Sequence, residues 1–351
     1  MNMVFSEYLS EHMRRHPYAE PRDVVKLCYQ AAFGAEHLLL DIEGAREYFD
    51  EEFLSSDSNT GELFEQISPD FCRVNLSAWK REALPQAWLF EMFRLTAAGG
   101  MTSAISFSKC LQTVEALVLN GGALFPMDAW HSFFESYDAV SPVPVHHSET
   151  FRQNALPAYR IVSMSYAQLI PLLKKIAALY DGVKIISIDG RSAAGKTTLA
   201  ETLRQITDAG IIHMDDFFLP AELRTEPRLN SPGGNVHYER FLSEVIPRLR
   251  SENAFSYNAF DCETMCMGAP REVGTSPLRI VEGAYSHHPE LGGYTDLRVF
   301  CDIDADLQLQ RIRARDGVYA EVFVSRWIPL EELYLKTYAI SEKADVTLTA
   351  E

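Results

Sequence analysis

The stretch GRSAAGKTT at residues 190–198 constrains this chain more than any other. It lies between the apolar run VKIISI and the helix-forming LAETLRQI. It fits the pattern G-x-x-x-x-G-K-[ST], with Gly190, Gly195, Lys196 and Thr197 in the fixed places. The glycines let the backbone curl until several N–H groups face one phosphate. A helix beginning near Lys196 adds its positive end. Lys196 is then placed to reach the outer phosphates of a nucleotide, and the Thr197 hydroxyl to sit on Mg²⁺. Ser192, Ala193, Ala194 and Thr198 complete the cradle. An ordinary strand–turn–helix corner would need neither both glycines nor the lysine.

A loop of this kind requires a strand before it and a helix after it, and the sequence from Val183 onward supplies that alternation. VKIISI, GIIHM (210–214), LRIVEG (278–283), LRVFCDI (297–303) and DVTLT (345–349) are short apolar strands separated by helical stretches. Such runs predict a parallel sheet covered on both faces. The first half reads as helical instead. DVVKLCYQAAFGAEHLL (23–39), AWLFEMFRLTAA (87–98) and SFSKCLQTVEALVL (106–119) all carry apolar residues at helical spacing. SYAQLIPLLKKIAALY (165–180) does so too, with Pro171 as a kink or a start and Asp181-Gly182 as the stop. The expected organisation is a mainly helical domain over 1–164, a linking helix over 165–181 and an α/β phosphate-loop domain over 182–351.

Composition narrows the function classes. With 47% hydrophobic and 23% charged residues, the chain of 351 can build real cores. A net charge of −17 argues against a broad nucleic-acid surface, which needs clustered Lys and Arg. The six cysteines are too few for a disulfide framework. Cys262 and Cys266 are the only close pair, flanked by Asp261 and Glu263, and are read as buried or semi-buried thiols in preference to a metal site. The N-terminus lacks the apolar core of a signal peptide, and no run approaches the ~18 apolar residues of a membrane span. A cytoplasmic protein with no membrane partner is expected. A homo-oligomer is compatible with the sequence.

Ligands of open parallel sheets bind beyond the carboxyl ends of the strands. After GIIHM comes Asp215-Asp216-Phe217-Phe218, and after LRIV comes Glu282-Gly283. One carboxylate there can help to hold Mg²⁺, and another can accept a proton from an attacking hydroxyl. Further on, Arg311, Arg313 and Arg315 follow one another at alternate positions. On a helix Arg311 and Arg315 share a face and Arg313 does not. They read either as a basic helix surface or as a lid closing over a transferring phosphate.

Taken together, GRSAAGKTTLA, HMDDFF, YNAFDC, IVEG and RIRARD resemble, in this order, the uridine kinase group of P-loop kinases, which includes nicotinamide riboside kinases and phosphoribulokinases. The resemblance covers residues 183–351. It implies Asp215 as the catalytic base, with Lys196, Arg311 and Arg315 stabilising charge. It implies Thr197 and Glu282 on the Mg²⁺ side, and Asp216, Phe218, Tyr257 and Asp261 toward the acceptor. ATP and Mg²⁺ are the implied cofactors, and a nucleoside or similar sugar-like alcohol the implied acceptor. One departure is NSPGGNVHYERF (230–241), where Asn235, His237 and Arg240 shape a different acceptor pocket and Gly233-Gly234 marks a tight turn. The alternative, in a different function class, is a nucleotide-gated regulatory protein.

The first half offers no comparable motif. The whole arrangement resembles the N-terminal extensions in front of some bacterial kinases of this group. His16 and His37 stand out early, and later His146, His147, Ser148, Glu149, Arg152, Tyr159 and Arg160 cluster in one stretch. The cluster reads either as hydrogen-bonded packing or as a site for an anion or second ligand. A hydrolase triad from His147 and Ser148 is a poor fit, because adjacent residues rarely present a hydroxyl to the neighbouring imidazole.

Overall fold

The computed structural model describes residues 3–35, 41–56, 61–99, 105–122, 125–179, 182–262 and 264–350. His37, Leu38, Asp181 and Glu263 lie outside the described residues. The chain divides into two compact units, Met1–Ala177 and Ala178–Glu351.

The first unit is built of α1 (Met3–Arg15), α2 (Pro21–Phe33), α3 (Ile42–Ser55), α4 (Leu76–Arg81), α5 (Gln86–Ala98), α6 (Phe107–Leu119), α7 (Met127–Phe134), α8 (Glu149–Ala155), α9 (Met164–Ala167) and α10 (Ile170–Ala177). Pro21 opens α2, where its missing N–H costs nothing. The helix read through residue 39 ends at Phe33. Gly34 adopts φ +63°, and a Cβ there would come within 2.8 Å of the Phe71 ring. The segment read as one linking helix is two short helices, α9 and α10, with Pro171 in the first turn of α10. Sequence reading also missed an antiparallel sheet, β1 (Phe64–Gln66), β2 (Phe71–Asn75) and β3 (Tyr159–Ser163), in the order β1-β2-β3. The central strand β2 buries Phe71, Cys72, Arg73 and Val74 in succession, so it has no polar–apolar alternation to betray it.

The second unit contains β4 (Lys184–Gly190), α11 (Lys196–Thr207), β5 (Gly210–His213), α12 (Glu226–Leu229), α13 (Tyr238–Glu244), α14 (Ile246–Leu249), β6 (Phe255–Asp261), β7 (Cys266–Val273), β8 (Leu278–Glu282), β9 (Leu297–Asp302), α15 (Ala305–Asp316), α16 (Ala320–Val322), α17 (Ile328–Tyr338) and β10 (Val346–Thr349). All five expected strands form one parallel sheet in the order β10-β9-β4-β8-β5. Ile185, Ile212, Val281 and Phe300 join Phe217, Phe241, Tyr257 and Tyr334 in one continuous core. Ile186 and Ile188 alternate to the opposite face and are equally buried. Between β5 and β8 lies a hairpin that the sequence reading left out, β6 paired antiparallel with β7. Cys262 and Cys266 sit at its turn and are exposed, so they are not the buried or semi-buried thiols expected from sequence. A hairpin tip has no core to receive them. Among the described residues no cluster of His, Cys, Asp and Glu has the makings of a metal site. No helix among them is long and apolar enough to cross a membrane.

Candidate active site

Strand register brings the site together. Ile188 on β4 and His213 on β5 both pair with Glu282 on β8, so β5 and β8 end at one level and β4 runs two residues further. β4 ends in Gly190 with φ +139°, where a Cβ would overlap the Cys301 carbonyl of β9. Only glycine lets the two backbones come this close. Gly195, at φ +92°, is the residue from which α11 starts.

The loop between them is held from several sides. Asp189 is buried and accepts from Gly190 N at 2.7 Å, Tyr285 N at 3.1 Å, His287 N at 2.9 Å and the Tyr334 hydroxyl at 2.8 Å. Arg191 pairs with Asp302 of β9 and with Glu332 of α17. Glu331 accepts from Ser192 N at 2.8 Å and from Ser192 Oγ at 3.0 Å. Burial, above all, raises its carboxyl above the usual range. Gln308 of α15 donates to Ser192 O at 3.1 Å. Asp189, Glu331 and Gln308 escaped sequence reading. Asp189 lies one residue before the motif, and the other two lie on helices whose polar residues carried no pattern.

A pocket of about 630 Å³ opens over this loop. Ser192, Ala193, Gly195, Lys196, Thr197 and Thr198 form one wall, and Asp215, Phe218, Asn235, Glu282, Arg311 and Arg315 also line it. Gly190 and Ala194 are buried and do not line the pocket. Lys196 Nζ donates to the carbonyls of Gly190 at 2.8 Å and Arg191 at 2.9 Å. Thr197 Oγ1 donates to Glu282 Oε2 at 3.1 Å, and the other carboxylate oxygen of Glu282 lies 2.6 Å from His213 Nδ1. Asp215 follows β5 in a 3₁₀ turn, Met214–Phe217. Its carboxylate opens to solvent through the pocket but is crowded by protein on its other sides. This partial burial, and next the charge of Glu282, push its pKa up, while Lys196 draws it back.

The remaining acceptor-side residues occupy other places. Asp216 is buried and accepts from Tyr257 OH at 2.8 Å and from Arg271 Nε at 2.7 Å. Tyr257 also receives His213 N at 3.2 Å, which ties the hairpin to the end of β5. Neither lines the pocket, and nor does Asp261 at the end of β6. Within NSPGGNVHYERF only Asn235 reaches it. His237 Nδ1 accepts from Arg240 N at 3.2 Å, and Arg240 donates to the carbonyls of Asp216 and Asn258. Gly233 has φ +69°, the tight turn expected there. Arg311 and Arg315 line the pocket from α15, and Arg313 does not. Arg311 Nη1 donates to Ala193 O at 3.3 Å. Sequence reading also passed over Arg224, Tyr285, Arg326 and Trp327, which line the pocket from loops and a π-helical turn.

No family model matches the chain. Over 171 residues, 43% of its length, it is 29% identical to uridine kinase of Chlamydia pneumoniae and spans 76% of that protein. Over 143 residues, 38% of its length, it is 27% identical to uridine kinase-like protein 3 of Arabidopsis thaliana, of which it spans 31%. The solved structure of a possible uridine kinase from Bacillus stearothermophilus aligns over 53% of this chain and 100% of its own, with a TM-score of 0.42 and 24% identity. The C-terminal half of the chain is uridine kinase-like.

Proposed function

We propose that the second unit transfers the terminal phosphoryl group of ATP to a hydroxyl of a small molecule, a nucleoside or related sugar-like alcohol. One observation carries the reading. The phosphate loop, the carboxylate of Asp215 and two arginines of α15 line a single pocket.

In this reading the loop backbone and Lys196 hold the phosphates, and Gly190 and Gly195 give the loop its curl. Thr197 and Glu282 offer only oxygen donors, 3.1 Å apart, a set that suits a hard cation such as Mg²⁺. Bound there, Mg²⁺ supplies positive charge against that of the phosphates. Asp215 accepts the proton of the attacking hydroxyl, and its raised pKa makes it a stronger base than an ordinary aspartate. Lys196, Arg311 and Arg315 offset the charge that builds on the moving group. Asn235 and Phe218 face the acceptor. Asp216 and Tyr257 act on it indirectly, by fixing the turn that carries Asp215.

The test is transfer from labelled ATP to a panel of nucleosides, vitamin alcohols and sugars. A phosphorylated product that disappears with Asp215→Asn supports the reading. Slow ATP hydrolysis without any product would overturn it in favour of nucleotide-gated regulation.

A further inference from the structure

The first unit contains a second pocket, of about 1020 Å³, walled by α2, α3, β3 and the segment leading into α8. Its charge contrasts with that of the chain. In a protein of net charge −17, Lys26, Arg152 and Arg160 line it, against one carboxylate, Glu52, among the described residues. Arg160 is 93% buried, from its 7% exposure. Its Nη1 donates to Glu52 and to Tyr159 O, while Nη2 has no hydrogen-bond partner among the described residues. Buried guanidinium nitrogens are rarely left so. The guanidinium is held against rings, with its Cζ 5.0 Å from the centre of Phe49, 5.7 Å from Tyr48 and 5.8 Å from Phe93. Lys26 donates to Val145 O at 3.1 Å. Burial first, then the positive charges of Arg73 and Arg152, bring it down to about 8 against the pull of Asp23. The wall behind these cations is cross-linked by hydrogen bonds. Asp23 fixes His147, His147 Nε2 lies 2.9 Å from Tyr159 OH, and Gln30 Oε1 takes two bonds from buried Arg73.

We propose that this pocket binds a small organic anion, a phosphate ester or a carboxylate. Its oxygens meet Arg160, Lys26 and Arg152, and its body rests on Tyr48 and Phe93. Arg160 contributes a charge held in place by its rings, with Nη1 kept by Glu52 and Tyr159 O and Nη2 left as the donor for such an oxygen. His147 and Tyr159 are occupied with each other and serve to position the wall. The pocket shares no lining residue with that over the phosphate loop, and the proposal does not depend on the kinase reading.

The experiment is calorimetric titration of the full chain, with the phosphate loop saturated by a non-hydrolysable ATP analogue. The probes are inorganic phosphate, uridine monophosphate and citrate. At least one should bind with a Kd below about 1 mM, and Lys26→Gln and Arg152→Gln should each weaken it about tenfold. Arg160→Met should weaken it further. If that variant does not fold, as judged by circular dichroism, the two rim variants decide the matter. Binding of the phosphates alone assigns a phosphate ester, and binding of citrate alone a carboxylate; either supports the proposal. No binding by any probe, or binding unchanged in the Lys26→Gln/Arg152→Gln double variant, overturns it.

Discussion

Asp189 in the second unit and Asp23 in the first are both buried carboxylates with four hydrogen-bond donors around them. Asp189 gathers Gly190 N, Tyr285 N, His287 N and Tyr334 OH. Asp23 gathers Glu20 N, His147 Nδ1, Ser148 N and Ser148 Oγ. Burial alone would raise the Asp23 carboxyl, but the bonds from His147, Glu20 and Ser148 outweigh it and hold the pKa below the usual range. The two staples differ in what they hold. Asp189 fixes the first residue of a phosphate loop whose chemistry is local in sequence. Asp23 ties the start of α2 to residues 124 and 125 positions away, beside a pocket that no local motif announces. One physical device can therefore support a site that is spelled out in the chain and another that exists only after folding.

Variants can break this parallel, and the largest effect belongs to Gly190→Ala. The added methyl meets the Cys301 carbonyl, so a loss of more than about 4 kcal/mol or failure to fold is expected in a urea titration. A near-normal midpoint would show that β4 and β9 can part. Asp215→Asn comes next. Transfer should fall by about 10³-fold while nucleotide affinity, read by calorimetry, stays the same. The same variant removes a charge that the fold disfavours. A raised native pKa means that the folded state holds the proton more tightly than the unfolded one, so stability falls as pH rises through that window. Asparagine imitates the protonated form, and the variant should melt no lower than the parent at neutral pH.

The staples themselves make the direct comparison. Asp189→Ala and Asp23→Ala each leave buried donors unpaired and should each cost about 3–5 kcal/mol in denaturant titrations. Only Asp189→Ala should also weaken nucleotide binding. Equal weakening by Asp23→Ala would mean that the two staples do not serve separate sites.

The smallest effect is one of pH. Burial lowers His147 to about 4, partly offset by Asp23, so the unfolded chain binds a proton between pH 6.5 and about 4 that the folded one refuses. Stability of the first unit is then full above pH 6.5 and declines by about 3 kcal/mol as pH falls through that window. Below it, protonation of Asp23 removes more. Emission from buried Trp79 and Trp130 reports on this unit. Urea midpoints that do not change between pH 7 and pH 5 would contradict the assignment.

The phosphate loop, the five strands of the parallel sheet and the carboxylates just after β5 and at the end of β8 could all be read from the chain, because each depends on neighbours within a few residues. Asp216 and Tyr257 show the limit of such reading. They stand beside Asp215 and within YNAFDC, yet their side chains turn to each other and away from the pocket. Nothing in sequence spacing says which way a 3₁₀ turn aims two adjacent carboxylates. The hairpin of β6 and β7 was missed because β7 is exposed along nearly all its length and lacks an apolar signal.

The sequence by itself determined that residues 190–198 form a phosphate-loop motif and that a parallel sheet presents it, since curl, helix start and apolar strands are local properties. Only the tertiary structure decided the rest. It placed Glu331 on Ser192, Asp189 beneath Gly190, and Lys26, Arg152 and Arg160 around one pocket. Those groups come from segments far apart in the chain. Their meeting is fixed by strand register and by the burial of charge, which forces each polar group to find a partner wherever the fold supplies one.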